Sequence, residues 1–308
     1  MTRYLSPKIE EIFVEIVQLL AEFNPEIASV VLENAPQNAN YTSPDIQKEI
    51  LSVFAMNVRK HIREEIGDAK FSILVDKTCD VAEREQMALV FRFVDSHGVL
   101  QEPFFDLIHV KNTKAMTLKK ELSKVLSSYA FDVQNLRGQG YDGAGNMKGE
   151  LNGLQALFLK RIFASFNASE VCKMVEKYYP TDFNQQERLE LETQLNHFVI
   201  DASSSEELKN ITTIAELCRC LVDTGRNVTH NLIDRLLRLL RTLPVSTASA
   251  ERVFSILKII KTRLRNKMED EFLANSLLAH IEGEIARCYS DEDIISVFQD
   301  LKKRRVDF

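Results

Sequence analysis

Two aspartates stand where metal-assisted chemistry would want them. Asp76 closes a short, almost continuous apolar run (Phe71-Ser-Ile-Leu-Val75). Asp142 lies inside a cluster that gathers six of the ten glycines within 16 residues, from Gly138 to Gly153. Two carboxylates held close together offer hard oxygen ligands to Mg2+, which activates water and stabilises a departing oxygen in phosphodiester chemistry. Glycines beside Asp142 would let backbone approach closely there. The same residues also read as a glycine-rich turn with a capping aspartate. Asp80 is an alternative to Asp76, but it lies past the expected strand end and suits a cap.

The totals narrow the setting. Ten glycines and seven prolines in 308 residues are about half the usual share, which excludes collagen-like, Gly/Pro-rich disordered and turn-dense architectures. The length suffices for a full core in one or two domains. No apolar run approaches the roughly 18 residues of a membrane span, and the first ten residues lack a signal-peptide pattern, so neither a membrane nor a secreted protein is expected. Five cysteines without a CxxC pair suit reduced thiols. Cys218-x-Cys220 sits in an apolar helical pattern and reads as structural.

Net charge is −6, against general coating of nucleic acid. Residues 231–268 nevertheless carry nine basic side chains (Arg235, Arg238, Arg241, Arg252, Lys258, Lys261, Arg263, Arg265, Lys267) against two acids, Asp234 and Glu251. Such a segment could meet phosphate. It also reads as a solvated helix face.

The elements that must position these groups follow from periodicity. Ser6-Pro7 and Ser43-Pro44 each place an N-cap before a proline at the first helical position, and apolar residues then recur at helical spacing. A polar, asparagine-rich loop around Pro36 separates the two patterns. At Phe71 the period changes: residues 71–75, 87–94 and 103–110 read as strands, the third at an edge because Pro103 cannot donate to a ladder. An amphipathic helix follows (Leu118, Leu122, Val125, Leu126, Tyr129), then a short strand over 135–141, the glycine cluster and a helix through 153–163. Three antiparallel strands with a crossover helix into a fourth is how a ribonuclease H-like fold begins, and there the strands of Asp76 and Asp142 are adjacent. Residues 189–198 and 211–222 are amphipathic, with Ser203-Ser204-Ser205 between them as a linker. Residues 232–240 form a helix ended by Pro244. Ser246 to Ser249 cap a long helix running to about Arg265. A helical stripe continues over 269–286, and Ser290-Asp-Glu-Asp293 starts the last helix.

Three motifs in order carry a specific resemblance: Phe71-SILVDKTCD-Val81, Arg137-GQGYDGAGNM-Lys148 and Leu243-PVSTASAERVFS-Ile256. Together they resemble a hAT-superfamily transposase, and Lys258-IIKTRLRNKMEDEFLANSLLAHIE-Gly283 resembles the hAT C-terminal dimerisation region. The resemblance implies an α-rich α/β fold: an incomplete ribonuclease H-like mixed sheet flanked by helices, with a helical dimerisation region. The expected divisions are a helical lead-in (1–70), a partial ribonuclease H-like domain (71–165), a helical remnant of an insertion (166–230) and the dimerisation region (231–308).

Residue by residue, the resemblance implies a DDE-type acid triad of Asp76, Asp142 and Glu251, holding Mg2+ if active and performing strand cleavage and transfer. Glu251 alone would be an acid favoured by a helix N-terminus. Lys258, Lys261, Arg263, Arg265 and Lys267 become candidates for contact with DNA. Phe254, Leu257, Phe272, Leu277, Leu278 and Ile281 become candidates for a homodimer interface. The departures matter as much. After Phe158-Leu-Lys160 the chain passes directly to Tyr178-Tyr-Pro-Thr-Asp-Phe183, which resembles the far side of the family's large insertion, so a fifth strand and that insertion are missing. No Cys/His cluster precedes Asp76, and Leu151 stands where relatives often carry Trp. The expected protein is an internally deleted remnant that dimerises and has lost transposition. The other readings are an active Mg2+-dependent nuclease and a helical interaction module without a nucleic-acid role. Lys302-Lys-Arg-Arg305 suits nuclear import or a solvated helix end; otherwise the protein would be cytoplasmic.

Overall fold

The computed structural model describes residues 17–35, 43–79, 85–110, 115–141, 168–209, 211–244, 246–260 and 269–302. Helix α1 (Pro44–Ile66) begins where Ser43 Oγ accepts the Ile46 amide at 3.4 Å, with proline in the first turn. It ends at Gly67, whose φ of +50° is open to glycine and costly to other residues. Strands β1 (Phe71–Cys79), β2 (Glu85–Val94), β3 (Leu100–Gln101) and β4 (Phe104–Val110) follow, then α2 (Ala115–Ser128) and β5 (Leu136–Tyr141).

β1 pairs antiparallel with β2 and parallel with β5, while β2 takes both β3 and β4 on its other side. The order (β3/β4)-β2-β1-β5, with α2 crossing over into β5, is the ribonuclease H-like arrangement expected from the periodicity. Pro103 splits the outer strand in two, yet its carbonyl still accepts the Phe91 amide at 3.1 Å. An extra residue at Phe105, where the register with β2 shifts, turns that ring onto the face of Phe71, Phe91 and Phe131. Phe91 and Phe131 stack at 4.4 Å, and α1 covers them with the Arg63 guanidinium 5.0 Å from the Phe131 centroid. Aromatic contacts of this kind add about 0.5–1.5 kcal/mol each beyond burial.

The opposite face carries Ser72, Leu74 and Asp76 of β1 beside Gly138 and Gly140 of β5. A Cβ at either glycine would meet Pro244 within 3.0 Å, so the chain around Pro244 lies directly on this face. The helix over Ala248–Ile260 continues from there across β1, β2 and β4.

A second core forms from α3 (Ala168–Tyr178), α4 (Gln185–Ser204), α5 (Ile214–Asp223) and α6 (Asn231–Thr242). Asn184 and Thr213 close reciprocal capping boxes at the starts of α4 and α5. Leu232, Ile233, Leu236, Leu237, Leu239 and Leu240 bury much of α6. This core meets the sheet at the β2–β3 turn, where a Cβ at Gly98 (φ +74°) would stand 2.8 Å from the Cys218 carbonyl oxygen. α6, the first helix of the division expected from residue 231, packs in this core with the helices before it. α7 (Ala248–Ile260), α8 (Asp270–Ile281) and α9 (Asp291–Asp300) rejoin the sheet and α1.

Several expectations shift. Asp76 does not end β1: the strand runs on to Cys79. Ser203 and Ser204 belong to α4, with Ser205 as its C-cap. The stripe over 269–286 breaks at Glu282 because a short separate turn, Gly283–Ala286, follows α8. The helix expected to reach Arg265 is seen to Ile260, and its continuation lies outside the described residues, as do the Ser6-Pro7 start, the Pro36 loop, Asp80 and the helix over 153–163.

Candidate functional site

Asp76 sits on β1 opposite Ala88 of β2 and is buried, with Oδ1 accepting the amide of Lys77 at 2.7 Å. One pair further along the same face, Gln86 lies opposite Thr78; it is fully buried and its Nε2 has no partner among the described residues. Asp142 lies outside the described residues.

Glu251 is in the first turn of α7, exposed, and Oε1 accepts from Thr247 Oγ1 at 3.1 Å. Because α7 follows Pro244 onto the face that carries Asp76, the two acids share one side of the sheet. Among the described residues no three His, Cys, Asp or Glu side chains converge as a metal site requires. With the middle acid outside the described residues, this geometry supplies no Mg2+ cradle from which a reaction step can be built.

What positions the start of α7 is a network the sequence did not signal. Glu102, in the break between β3 and β4, accepts from Arg92 of β2 and from Ser249 of α7. Arg92 Nε also donates to the Arg241 carbonyl at 3.0 Å. Burial lowers the Arg92 pKa, while Glu102 opposes that shift. A single arginine therefore ties β2 to the edge strand and to the end of α6.

The basic segment divides into two groups. Arg235 donates to Glu187 and lies 5.4 Å from the Phe183 ring, Arg238 reaches Asp234 and the Asp95 carbonyl, and Arg241 reaches the Gly98 carbonyl. These three hold helices and turns together, which a charge count alone could not reveal. Arg252 and Lys258 are exposed, while Lys261, Arg263, Arg265 and Lys267 lie outside the described residues.

The candidate interface residues also divide. Phe254, Leu257, Leu277 and Leu278 are buried in the chain's own core, whereas Phe272 and Ile281 are half-buried against it. The reason is local: α8 closes the sheet at β4. Phe104 N–H on the outer edge of that strand donates to Glu282 Oε1 at 2.8 Å. The Phe105 carbonyl accepts from Arg59 Nε, and the same guanidinium reaches Asp106 and Asn275. The apolar residue of α7 left facing outward is Ile259, 71% exposed, beside half-buried Ile256 and exposed Arg252 and Ser255 at helical spacing.

Cys218 lies within the second core, and burial raises the thiols of Cys172 (to about 11), Cys218 and Cys220, which makes these three poor nucleophiles. Among the described residues no helix is long and apolar enough to cross a membrane.

Comparison with known proteins gives two family matches. Residues 6–153 match the family described as "ZMYM1/FAM200, RNase-like domain", and residues 229–285 match the "hAT family C-terminal dimerisation region". Two curated proteins described as "52 kDa repressor of the inhibitor of the protein kinase", from Homo sapiens and Mus musculus, are each 24% identical over 117 residues, 38% of this chain. The match covers 15% of each relative's length.

Proposed function

We propose, from the premise that this chain is an hAT-derived protein joining an RNase-like domain to an hAT dimerisation region, that it self-associates and does not perform strand transfer. One observation carries this reading. Within the matched dimerisation region the arginines of α6 are engaged inside the subunit, while Ile259 of α7 is left outside. The surface that remains is suited to a second apolar ridge more than to a phosphate backbone. Self-association then runs through the outer face of α7, with Ile259 at its centre, and Phe254, Leu257, Leu277 and Leu278 support it from beneath.

Light scattering coupled to size exclusion tests this at micromolar concentration. The expected result is a dimer that Ile259→Asp converts to a folded monomer. A strictly monomeric parent chain sinks the reading.

The shared face of Asp76 and α7 favours a second reading, an active Mg2+-dependent nuclease acting on DNA. That reading requires Mg2+-dependent cleavage of DNA that is abolished by Asp142→Asn. Cleavage that persists in that variant, or is never seen, removes it.

A further inference from the structure

The backbone groups of β4 alternate in direction. In an antiparallel ladder, every second residue exchanges both hydrogen bonds with the strand opposite, and the residues between turn both groups outward. The bond from the Phe91 amide to the Pro103 carbonyl flanks the Val90–Phe104 pair, so Phe104 turns its backbone groups outward. The extra residue at Phe105 then shifts the phase. Asp106, Ile108 and Val110 turn theirs to β2, opposite Leu89, Met87 and Glu85, while Leu107 and His109 turn theirs away from it.

Half of this outer margin is closed. The Phe104 amide donates to Glu282, the Phe105 carbonyl accepts from Arg59 Nε at 3.3 Å, and the Leu107 amide donates to Asp106 Oδ1 at 3.0 Å. The other half is open. The Leu107 carbonyl and the amide and carbonyl of His109 have no hydrogen-bond partner among the described residues, and His109 is exposed. Leu107, Ile108 and His109 line a groove of about 650 Å³ walled by α1, α2 and α8. Ile108, Val125 and Met56, the last 44% exposed, give the groove an apolar side. Its charges are mixed. Asp106 pairs with Arg59 and Asp270 has a contact of its own, while Glu121, Glu271 and Lys124 have no ion pair among the described residues.

We propose that the open half of β4 takes an extended segment of another polypeptide as an added strand. Unpaired edge groups are a template for such pairing. His109 exchanges two hydrogen bonds with one residue of the segment, and the Leu107 carbonyl accepts a third from the amide two residues on. The residue between them points to the Ile108 side of the sheet, so an apolar side chain there covers Ile108, Val125 and Met56. The margin from Leu107 to Val110 is about 10 Å long, which four residues of strand match. Because helices wall the groove, a single extended chain enters where the folded sheet of a second copy would be blocked. With both signs on the rim, recognition rests on the backbone and one apolar side chain and not on net charge. The lining does not include Ile259, so the inference is independent of self-association through α7.

Residue-resolved hydrogen exchange on the full chain tests this, with a capped, uncharged heptapeptide of alternating threonine and valine as the probe. In the chain alone, the His109 amide should exchange about tenfold faster than those of Ile108 and Val110, or more. Peptide at about ten times its Kd should slow His109 about tenfold, equally at low and high salt. The same peptide with its amides N-methylated should give no protection. The inference is overturned if His109 exchanges as slowly as its neighbours in the chain alone, or if the peptide gives no protection up to about 1 mM. It is also overturned if the N-methylated peptide protects equally, if salt abolishes the protection, or if protection rises with protein concentration alone, which would assign the edge to a second copy.

Discussion

Pro244 occupies the space that a side chain at Gly138 would need: a Cβ there would stand 2.6 Å from Pro244 Cδ and 2.9 Å from Ser72 Oγ. The contact fixes the chain between α6 and α7 against the sheet, and so sets where α7 begins. Gly138→Ala is expected to destabilise the protein by about 1–3 kcal/mol, as overpacking does. Adding Pro244→Ala should return part of that loss in chemical denaturation. No loss in the single variant would mean that the linker does not bear on β5.

Arg59 joins α1, β4 and α8 through Phe105, Asp106 and Asn275. Arg59→Met leaves Asp106 buried without its cation, and the expected cost is about 3–5 kcal/mol. Pairing it with Asp106→Leu should recover much of the loss, because an apolar pair leaves no uncompensated charge. Equal instability in the single and double variants would argue that the guanidinium–backbone bond dominates.

Glu282 and Glu65 predict a pH dependence. Burial raises the Glu282 carboxyl above its ordinary value, helped by the Glu65 and Glu284 charges and opposed by the Phe104 amide. Burial likewise raises Glu65, with His61 opposing and Asp95 adding. A carboxyl raised in the folded state holds its proton more readily there than in the unfolded chain. Its stabilising contribution is present below the ordinary carboxylate range and is lost as pH rises through the raised value. Glu282→Gln keeps an oxygen to accept from Phe104 but never ionises. Its melting temperature should match the parent near about pH 4 and exceed it near about pH 7. A variant less stable than the parent at neutral pH would reverse the assignment.

Arg241 separates structural from phosphate-facing charge. Arg241→Ala should lower stability by about 1–3 kcal/mol through the lost bond to the Gly98 carbonyl. It should leave the salt dependence of any DNA binding unchanged. Arg252→Ala and Lys258→Ala should do the reverse, each lowering the salt slope by about one. A shallower slope in Arg241→Ala would return that arginine to the surface.

Much of the sheet was legible because its signals are local. Phe71 to Val75 reads as a buried strand, Pro103 as an edge, and Ser43 and Ser290 as caps, and each is governed by neighbours in sequence. The candidate interface read less well. The apolar spacing of Phe254, Leu257, Leu277 and Leu278 says that one helix face is covered, and the same pattern serves a partner or the chain's own sheet equally well. Arg235, Arg238 and Arg241 misled a charge count for a related reason: an arginine that holds a distant carbonyl looks the same in sequence as one that meets solvent. Gly138 and Gly140 belong to the cluster expected to let the chain approach closely around Asp142, and the residue seen close to both is Pro244, roughly a hundred residues away, which no local pattern names. Gln86 offered no signal, since alternation predicts only its face.

The bond between the Phe104 amide and Glu282 also orders events in time. At ribosomal speeds of about 5–20 residues per second, the edge strand waits roughly 10 to 35 s for the carboxylate that seals it. Until then the nascent sheet exposes an unpaired margin of aromatic residues, the condition in which holdase chaperones engage a chain. Truncation before the seal would leave that margin permanently open, so the RNase-like segment expressed alone should aggregate.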